Sequence, residues 1–383
     1  MKKAAWVVSI AAAFASAAFA QNDNVRVVVS FNGEPDGAVI TDNGGRVIRR
    51  MARRNALVAS LPAGSSDKVK GNSNVSNVVE DGVMQAVQDR AKGKPGRGGT
   101  SGQSLSWGYT RIGAGAAATT GSGAVVVVAD TGADLDHPDL AANLDLVNAR
   151  DFIDSTPDPD DKNGHGTHVS GIIAALNNTS GTLGVAPGAT IVPVQVLSAS
   201  GFGSWSALAD AVDHALAIGA DVVNMSLGGG APAAGHELYA SLADAFAGGV
   251  VLVAASGNEG AASPSFPASD ANVIAVGATT SSDTIASYSN ANEEILAPGS
   301  SIKSLWKGGG TKTISGTSMA SPHAAGVAAL VVARNSDADA TNNVADANGL
   351  NGLADEIRAK LQATARTFLS THKLVDAEAA SKN

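Results

Sequence analysis

Ala124-Val125-Val126-Val127-Val128-Ala129 runs directly into Asp130-Thr131-Gly132. Consecutive β-branched residues without polar alternation describe a strand buried on both faces, the habit of a parallel sheet covered by helices. An acid on the last step of such a strand is costly to desolvate unless a donor meets it, so Asp130 calls for an explanation. Outward from this run, strands are expected at residues 190–197, 221–226, 249–254 and 273–276, and helices at 168–175, 206–218, 236–247, 319–334 and 353–367. The alternation predicts an α/β fold: a doubly wound, mostly parallel sheet with helices on both faces, whose ligands lie beyond the carboxyl ends of the strands.

Polar residues gather at those ends. His165 lies in Asn163-Gly164-His165-Gly166-Thr167-His168, with glycine on both sides, and Asn258 in Ser256-Gly257-Asn258-Glu259-Gly260 after an apolar run. Ser318 lies in Ser315-Gly316-Thr317-Ser318-Met319-Ala320-Ser321-Pro322, ahead of the apolar residues 327–332. That is a strand-to-helix junction, where nothing bulky crowds the hydroxyl and the backbone N–H belongs to the helix's unpaired donors. Each residue also has a plainer reading. Ser318 serves as an N-cap, Asp130 and Asn258 as turn formers, and His165 as a cap or, with His168, as half of a zinc site short of a third ligand. Four coincident turn formers explain less than one site does.

At 383 residues and 44% hydrophobic content the chain can bury one large core and a small satellite domain. It has no cysteine, which excludes a disulfide framework, a thiol nucleophile and a cysteine metal site. Lys2 and Lys3 precede an apolar run ending in Ala18-Phe19-Ala20, the small-x-small pattern of a cleaved signal peptide. A membrane anchor competes with that reading, but the alanine-rich run is near the minimum spanning length and has a fitting cleavage site. Secretion is therefore expected.

Residues 21–102 have a different character. A strand is expected at 25–31, a helix running into a strand over 47–59, a short strand end at 78–83 and a structureless linker over 90–102. Residues 1–102 carry 14 Lys and Arg against 8 Asp and Glu, and residues 103–383 carry 12 against 27. Arg46, Arg49, Arg50, Arg53 and Arg54 could form a nucleic-acid arm. They alternate with apolar residues, however, and an acidic partner sits in the same chain, which favours pairing within the molecule.

Asp130-Thr131-Gly132 with His137-Pro138-Asp139-Leu140, then NGHGTHVSG at 163–171, NMSLG at 224–228, ASGNEG at 255–260 and GTSMASPHAAG at 316–326, resemble the subtilisin family of serine peptidases in both order and separation. The resemblance implies a signal peptide at 1–20, a small α+β propeptide with its linker at 21–102, a peptidase domain at 103–383, and self-cleavage near Gly102. The propeptide match is looser, because its part before Gly44 is short and its first helix is expected to be reduced. Within the peptidase domain, Ser318 would be the nucleophile, His165 its base and Asp130 the carboxylate that orients it. Asn258 and the Ser318 N–H would receive the oxyanion.

The same resemblance implies how substrate binds. Leu197, Gly201, Phe202 and Gly203 on one side and Ser226, Leu227 and Gly228 on the other would pair with an added peptide strand. Ala255, Ser256, Gly257 and Ser265, beside Glu259, would form a roomy, mostly uncharged first pocket for large apolar residues. Trp205 and Leu208 would join Leu227 in a second pocket, although Leu208 and Leu227 also read as plain core. LNNTSGTLGV at 176–185 looks like a calcium loop, with Asn178 giving a side-chain oxygen and Leu176, Ser180 and Thr182 giving carbonyls. Asp139 and Gln103 would complete this all-oxygen set. Asp151, Asp154, Asp158, Asp160 and Asp161 could hold a second ion or form a solvated loop. Residues 336–352 are longer than the family pattern. Expected partners are protein and peptide substrates and the chain's own propeptide as an intramolecular inhibitor. No nucleic acid and no membrane after signal cleavage are expected, and the enzyme should be a monomer.

Rival functions fare worse. A lipase-like hydrolase would set its serine in G-x-S-x-G, which Ser318 does not satisfy. Gly113-Ala114-Gly115-Ala116-Ala117-Ala118 precedes the first strand of its domain, whereas a nucleotide-binding loop follows one. A binding protein on a dead protease fold would lack a catalytic residue, and none is lacking.

Overall fold

The computed structural model describes residues 24–87, 95–96, 102–153, 158–336, 353–368 and 372–382. The signal sequence, most of the linker, Asp154 and nearly all of the 336–352 stretch lie outside the described residues. Two compact units emerge, one made of the chain up to Asp81 with Ala233–Glu237, the other of Gly82–Pro232 with the chain from Leu238 onward.

The first unit is an antiparallel sheet in the order β2-β3-β1-β4, built from β1 (Asn24–Phe31), β2 (Arg46–Arg50), β3 (Ala56–Pro62) and β4 (Val75–Glu80). Val27, Val29, Phe31, Leu57, Ala59 and Leu61 alternate inward and pack with Ile40 and Val69 from the short helices α1 (Ala38–Thr41) and α2 (Ser66–Lys70). The four-residue α1 lies in the short stretch before Gly44. The helix expected over 47–59 is absent: β2 and β3 pair antiparallel from Arg46↔Ser60 to Arg50↔Leu57. Arginines interleaved with Val47 and Ile48 mimic a helical stripe, but Met51 and Ala56 close a hairpin through Met51 N–H to Ala56 O at 3.1 Å, and cross-strand pairing prevails. Arg26 pairs with Asp81 at 2.7 Å, and Arg50 pairs with Glu34.

The second unit is the α/β layer structure expected. Its elements begin with β5 (Val83–Ala86), α3 (Trp107–Arg111), β6 (Val125–Asp130), β7 (Arg150–Asp151), α4 (His165–Ala174), β8 (Thr190–Gln195), β9 (Phe202–Ser204), α5 (Trp205–Ala217), β10 (Val222–Met225) and β11 (Leu227–Gly228). They continue with α6 (Glu237–Ala247), β12 (Val251–Ala255), β13 (Val273–Thr279), β14 (Ile295–Pro298), β15 (Ile302–Trp306), β16 (Gly310–Ile314), α7 (Thr317–Ser336), α8 (Leu353–Thr364), β17 (Arg366–Phe368), β18 (His372–Leu374) and α9 (Ala377–Ala380).

Among the described residues, nine strands form one sheet in the order β17-β18-β14-β13-β12-β10-β6-β8-β7. Every pairing in it is parallel except β17 with β18. The antiparallel end replaces the tail of the helix expected over 353–367, which stops at Thr364. From Ala324 to Ala333 helix α7 carries no polar side chain, and this part lies in the core among Val126, Val222, Val253, Ile274 and Val276, as such a helix must. Asp130 ends β6, Ser226 follows β10 and Asn258 follows β12, so all three stand at the carboxyl edge.

Candidate active site

The first half of the site is the junction of β6 and α4. Asp130 and His165 are both fully buried, and Asp130 Oδ1 accepts from the Thr131 N–H and lies 2.7 Å from His165 Nδ1. His165 opens α4 because Gly164 takes φ +108°, where a Cβ would meet the Trp306 ring at 2.5 Å, so only glycine fits this turn. Gly166 is equally obligate, since a Cβ there would come within 2.1 Å of Gly132 O. Two buried atoms, His165 Nε2 and Asp130 Oδ2, have no hydrogen-bond partner among the described residues.

The zinc alternative fails. His168 Nε2 faces the carbonyls of Lys312 at 3.1 Å and Ile302 at 3.2 Å, and burial lowers its pKa to about 3. Among the described residues, no group of three or more His, Asp and Glu is placed to hold a metal.

The second half is the N-terminus of α7. Ser318 is buried and its Oγ donates to Ser226 O at 2.8 Å, not to His165. Pro322 has no N–H to give to the Ser318 carbonyl one turn back, and the Ser226 hydroxyl donates there at 2.9 Å in its place. Asn258 Oδ1 accepts from both the N–H and the hydroxyl of Thr317 at 2.9 Å, while the Thr317 hydroxyl accepts from Gly257 N–H at 3.2 Å. These bonds fix the amide so that its donor end, Nδ2, is buried with no partner among the described residues. Thr317 was not singled out in the sequence, although its place beside Ser318 was the available signal.

A short strand of the chain fills the cleft between these halves. β5 pairs antiparallel with β9, Phe202↔Gln85 through Ser204↔Val83, and with β11, Leu227↔Ala86 and Gly228↔Gln85. Ala86 N–H donates to Gly201 O at 2.9 Å and Val87 N–H to Ser226 O at 3.3 Å. The Val87 carbonyl accepts from Ser318 N–H at 3.3 Å. Gly203 has to be glycine, because a Cβ would stand 1.9 Å from Val196 O.

A cavity of about 70 Å³ remains beside Val87, lined in part by Gly228, Gly229, Asn258, Glu259 and Ser265. Of the pocket residues expected, Ser265 lines it. Ala255 and Ser256 are fully buried outside its lining, and Gly257 faces the Ser265 hydroxyl and Glu259. Glu259 puts a carboxylate in the wall, held by Asn290 Nδ2 at 2.9 Å. Trp205, Leu208, Leu227 and Leu197 are fully buried, and the Trp205 N–H donates to Gly82 O at 3.2 Å.

The expected cation residues also converge. Gln103 Nε2 contacts the carbonyls of Leu176 at 2.6 Å and Thr182 at 2.9 Å, Asn178 Nδ2 contacts Asp139 Oδ1 at 2.6 Å, and Thr182 N–H donates to Asp139 Oδ2 at 3.0 Å. Ser180 is tied in through its N–H to Asn178 Oδ1 at 2.8 Å. Burial raises the Asp139 carboxyl pKa, against the Thr182 and Asn178 donors.

Fold and site together describe an α/β enzyme whose polar groups meet a peptide strand at the carboxyl edge of a parallel sheet. Residues 121–380 match the model of the subtilase family. The chain is 44% identical over 288 residues to M-protease of Shouchella clausii, covering 74% of this chain and 71% of that protein. It is 44% identical over 289 residues to subtilisin Savinase of Lederbergia lenta, covering 73% of this chain and 100% of that protein. It is 38% identical over 306 residues to subtilisin E of Bacillus subtilis, covering 77% and 75%. The chain belongs to the subtilase family of serine peptidases.

Proposed function

We propose that this peptidase is a secreted endopeptidase made as a zymogen that cuts itself, with Ser318 as nucleophile, His165 as base and acid, Asp130 as its orienting carboxylate and Asn258 as an oxyanion donor. The observation that carries the reading is the Val87 carbonyl just after β5, which meets the Ser318 N–H while Asn258 Nδ2 and His165 Nε2 have no partner among the described residues. A rotation of Ser318 Oγ from Ser226 O to His165 Nε2 lets the imidazole take its proton as Oγ attacks the carbonyl carbon. The oxyanion draws on the Ser318 N–H and Asn258 Nδ2. His165 then protonates the departing amine, and a water deprotonated at the same nitrogen releases the acyl group. Asp130 holds the Nδ1–H tautomer and stabilises the imidazolium.

Substrates bind as β5 does, as a strand added between β9 and β11. The cavity beside Val87 leaves room for Phe, Leu or Met ahead of the scissile bond, and Glu259 in its wall disfavours Asp and Glu there. The linker over 90–102 had suggested a first cut near Gly102. The register of β5 instead favours the bond that follows Val87, leaving residues 88–102 for later trimming. The leader at 1–20 supports secretion, and no helix among the described residues is long and apolar enough to cross a membrane.

Calcium fits the cluster around Asp139, because every group there offers oxygen. The Gln103 amide, turned over, would add its own oxygen to the carbonyls of Leu176 and Thr182. Asp139, Gln103, Asn178, Leu176, Ser180 and Thr182 would hold the ion, which when bound supplies a cross-link to a chain without disulfides.

N-terminal sequencing of the first product tests the reading. It should begin at Gln88, and Ser318→Ala should keep residues 21–87 attached. A variant that still matures when purified would refute self-cleavage by Ser318, and a first product starting at Gln103 would make the β5 register incidental.

A further inference from the structure

Asp161 belongs to the acidic run that could be read as an ion site or a solvated loop, and it is neither. Its side chain is buried, with the residue 4% exposed, and it accepts five hydrogen bonds, all from neutral donors. Oδ1 takes the Thr131 hydroxyl at 2.9 Å, Asn163 N–H at 2.9 Å and Gly164 N–H at 2.7 Å. Oδ2 takes Thr167 N–H at 2.9 Å and the Thr167 hydroxyl at 2.6 Å.

Both hydroxyls have a second partner across the junction. Thr131 Oγ1 accepts from Gly166 N–H at 2.9 Å, and Thr167 Oγ1 accepts from Asp134 N–H at 2.9 Å. A hydroxyl has one proton, and because Asp161 takes it from each threonine, each oxygen is left facing the opposite segment as an acceptor. One carboxylate thus sets the direction of both bonds joining the end of β6 to the first turn of α4. Gly164 has no side chain to cap that turn, and Asp161 supplies the anion that its free N–H groups require.

We infer that Asp161 is a positioning residue for the hydrolytic reaction, docking the turn that carries His165 onto the strand end that carries Asp130. This rests on the reading that Asp130, His165 and Ser318 perform the hydrolysis. The Asp130–His165 contact of 2.7 Å joins the two segments that Asp161 holds in register. An amide at position 161 cannot accept everything a carboxylate accepts. Its NH₂ would confront donors, and at least one threonine hydroxyl would have to turn around.

The test is Asp161→Asn, assayed on a chromogenic peptide with active sites titrated by a covalent serine reagent. We expect kcat to fall by about 10- to 100-fold with KM within about threefold. The acid limb of kcat/KM should move down by about 0.5 to 1 pH unit, because the imidazolium loses both a nearby charge and a well-placed Asp130. Thr131→Val should move both quantities in the same direction, and Thr131→Ser should restore them. Melting of Asp161→Asn in a Ser318→Ala background separates folding from positioning, and Thr131→Val serves if Asp161→Asn does not fold. An unmoved acid limb in Asp161→Asn and Thr131→Val, with kcat within twofold of the parent, overturns the inference alone. Full peptidase activity in Ser318→Ala overturns the catalytic reading and this inference with it.

Discussion

The two halves of the site are held by different means. Around β6 and α4, Asp130 Oδ1 lies 2.7 Å from His165 Nδ1, and the hydroxyls of Thr131 and Thr167 both donate to Asp161. Around α7, the N–H and hydroxyl of Thr317 both donate to Asn258 Oδ1, and the buried Nδ2 of Asn258 is left without a partner among the described residues. The bonds of the first half fix the direction of both threonine hydroxyls, yet they leave the reacting edge of His165, its Nε2, without a partner among the described residues. A group that meets charge only when it develops has to be held ready and unpaired, so that no reorganisation is needed at that moment. The contrast predicts that damage to the α7 half should lower turnover, while loosening the α4 half should also show in stability.

The largest effect is expected at the idle donor. Asn258→Leu should lower kcat by about 10²–10³ with little change in KM, a size borrowed from the corresponding donor in a subtilisin. A loss confined to KM would erase the distinction between the halves.

Chelation should strike the other half. The cluster of Gln103, Asp139 and residues 176–182 ties the segment after β6 to the segment after α4, away from Ser318. Calcium at a hundredfold excess over Kd stabilises by about 2.7 kcal/mol. EDTA should therefore leave the initial rate nearly intact and shorten the half-life on warming sharply, as should Asp139→Asn with calcium present. Equal half-lives with and without chelator would remove the ion from this account.

Each half also buries one neutral imidazole, His168 in α4 and His323 in α7, with burial lowering their pKa values to about 3 and about 4. Unfolded, both titrate near 6.5. Below that pH the unfolded chain takes up protons that the folded chain refuses. Stability present above pH 6.5 should drain away on acidification, by about 2 kcal/mol per histidine at pH 5. Thermal melting of Ser318→Ala at pH 7 and pH 5 reads this directly, and identical melting temperatures would contradict it. His323→Gln should remove about half of the pH slope.

The smallest effect is expected from Thr317→Val, which removes one of the two bonds holding Asn258 Oδ1. A roughly tenfold fall in kcat, about 1.4 kcal/mol, is expected with unchanged pH dependence. A shifted acid limb would mean that the halves are coupled and the comparison is too sharp.

Much of this was legible in the chain. The valine run announced a parallel strand because burial on both faces leaves no reason for alternation, and Asp130, His165, Asn258 and Ser318 each stood at a strand end or helix start. The hairpin of β2 and β3 was hidden, because arginines among Val47 and Ile48 fit a helical stripe as well as an alternating strand. Glu259 is adjacent to Asn258 in sequence, yet its place in the wall of the cavity beside Val87 is set by Asn290, which is distant in the chain.

What the sequence determined by itself was the family, the order of the candidate residues Asp130, His165, Asn258 and Ser318 and the glycines around them, because these are local demands of backbone conformation and side-chain chemistry. Tertiary structure alone decided which carboxylate of the acidic run is buried, which end of the Asn258 amide stays free and which carbonyl of the N-terminal segment reaches Ser318. Each of those depends on a donor or acceptor that arrives from a distant part of the chain, and a hydrogen bond is decided by where its partner lies in space.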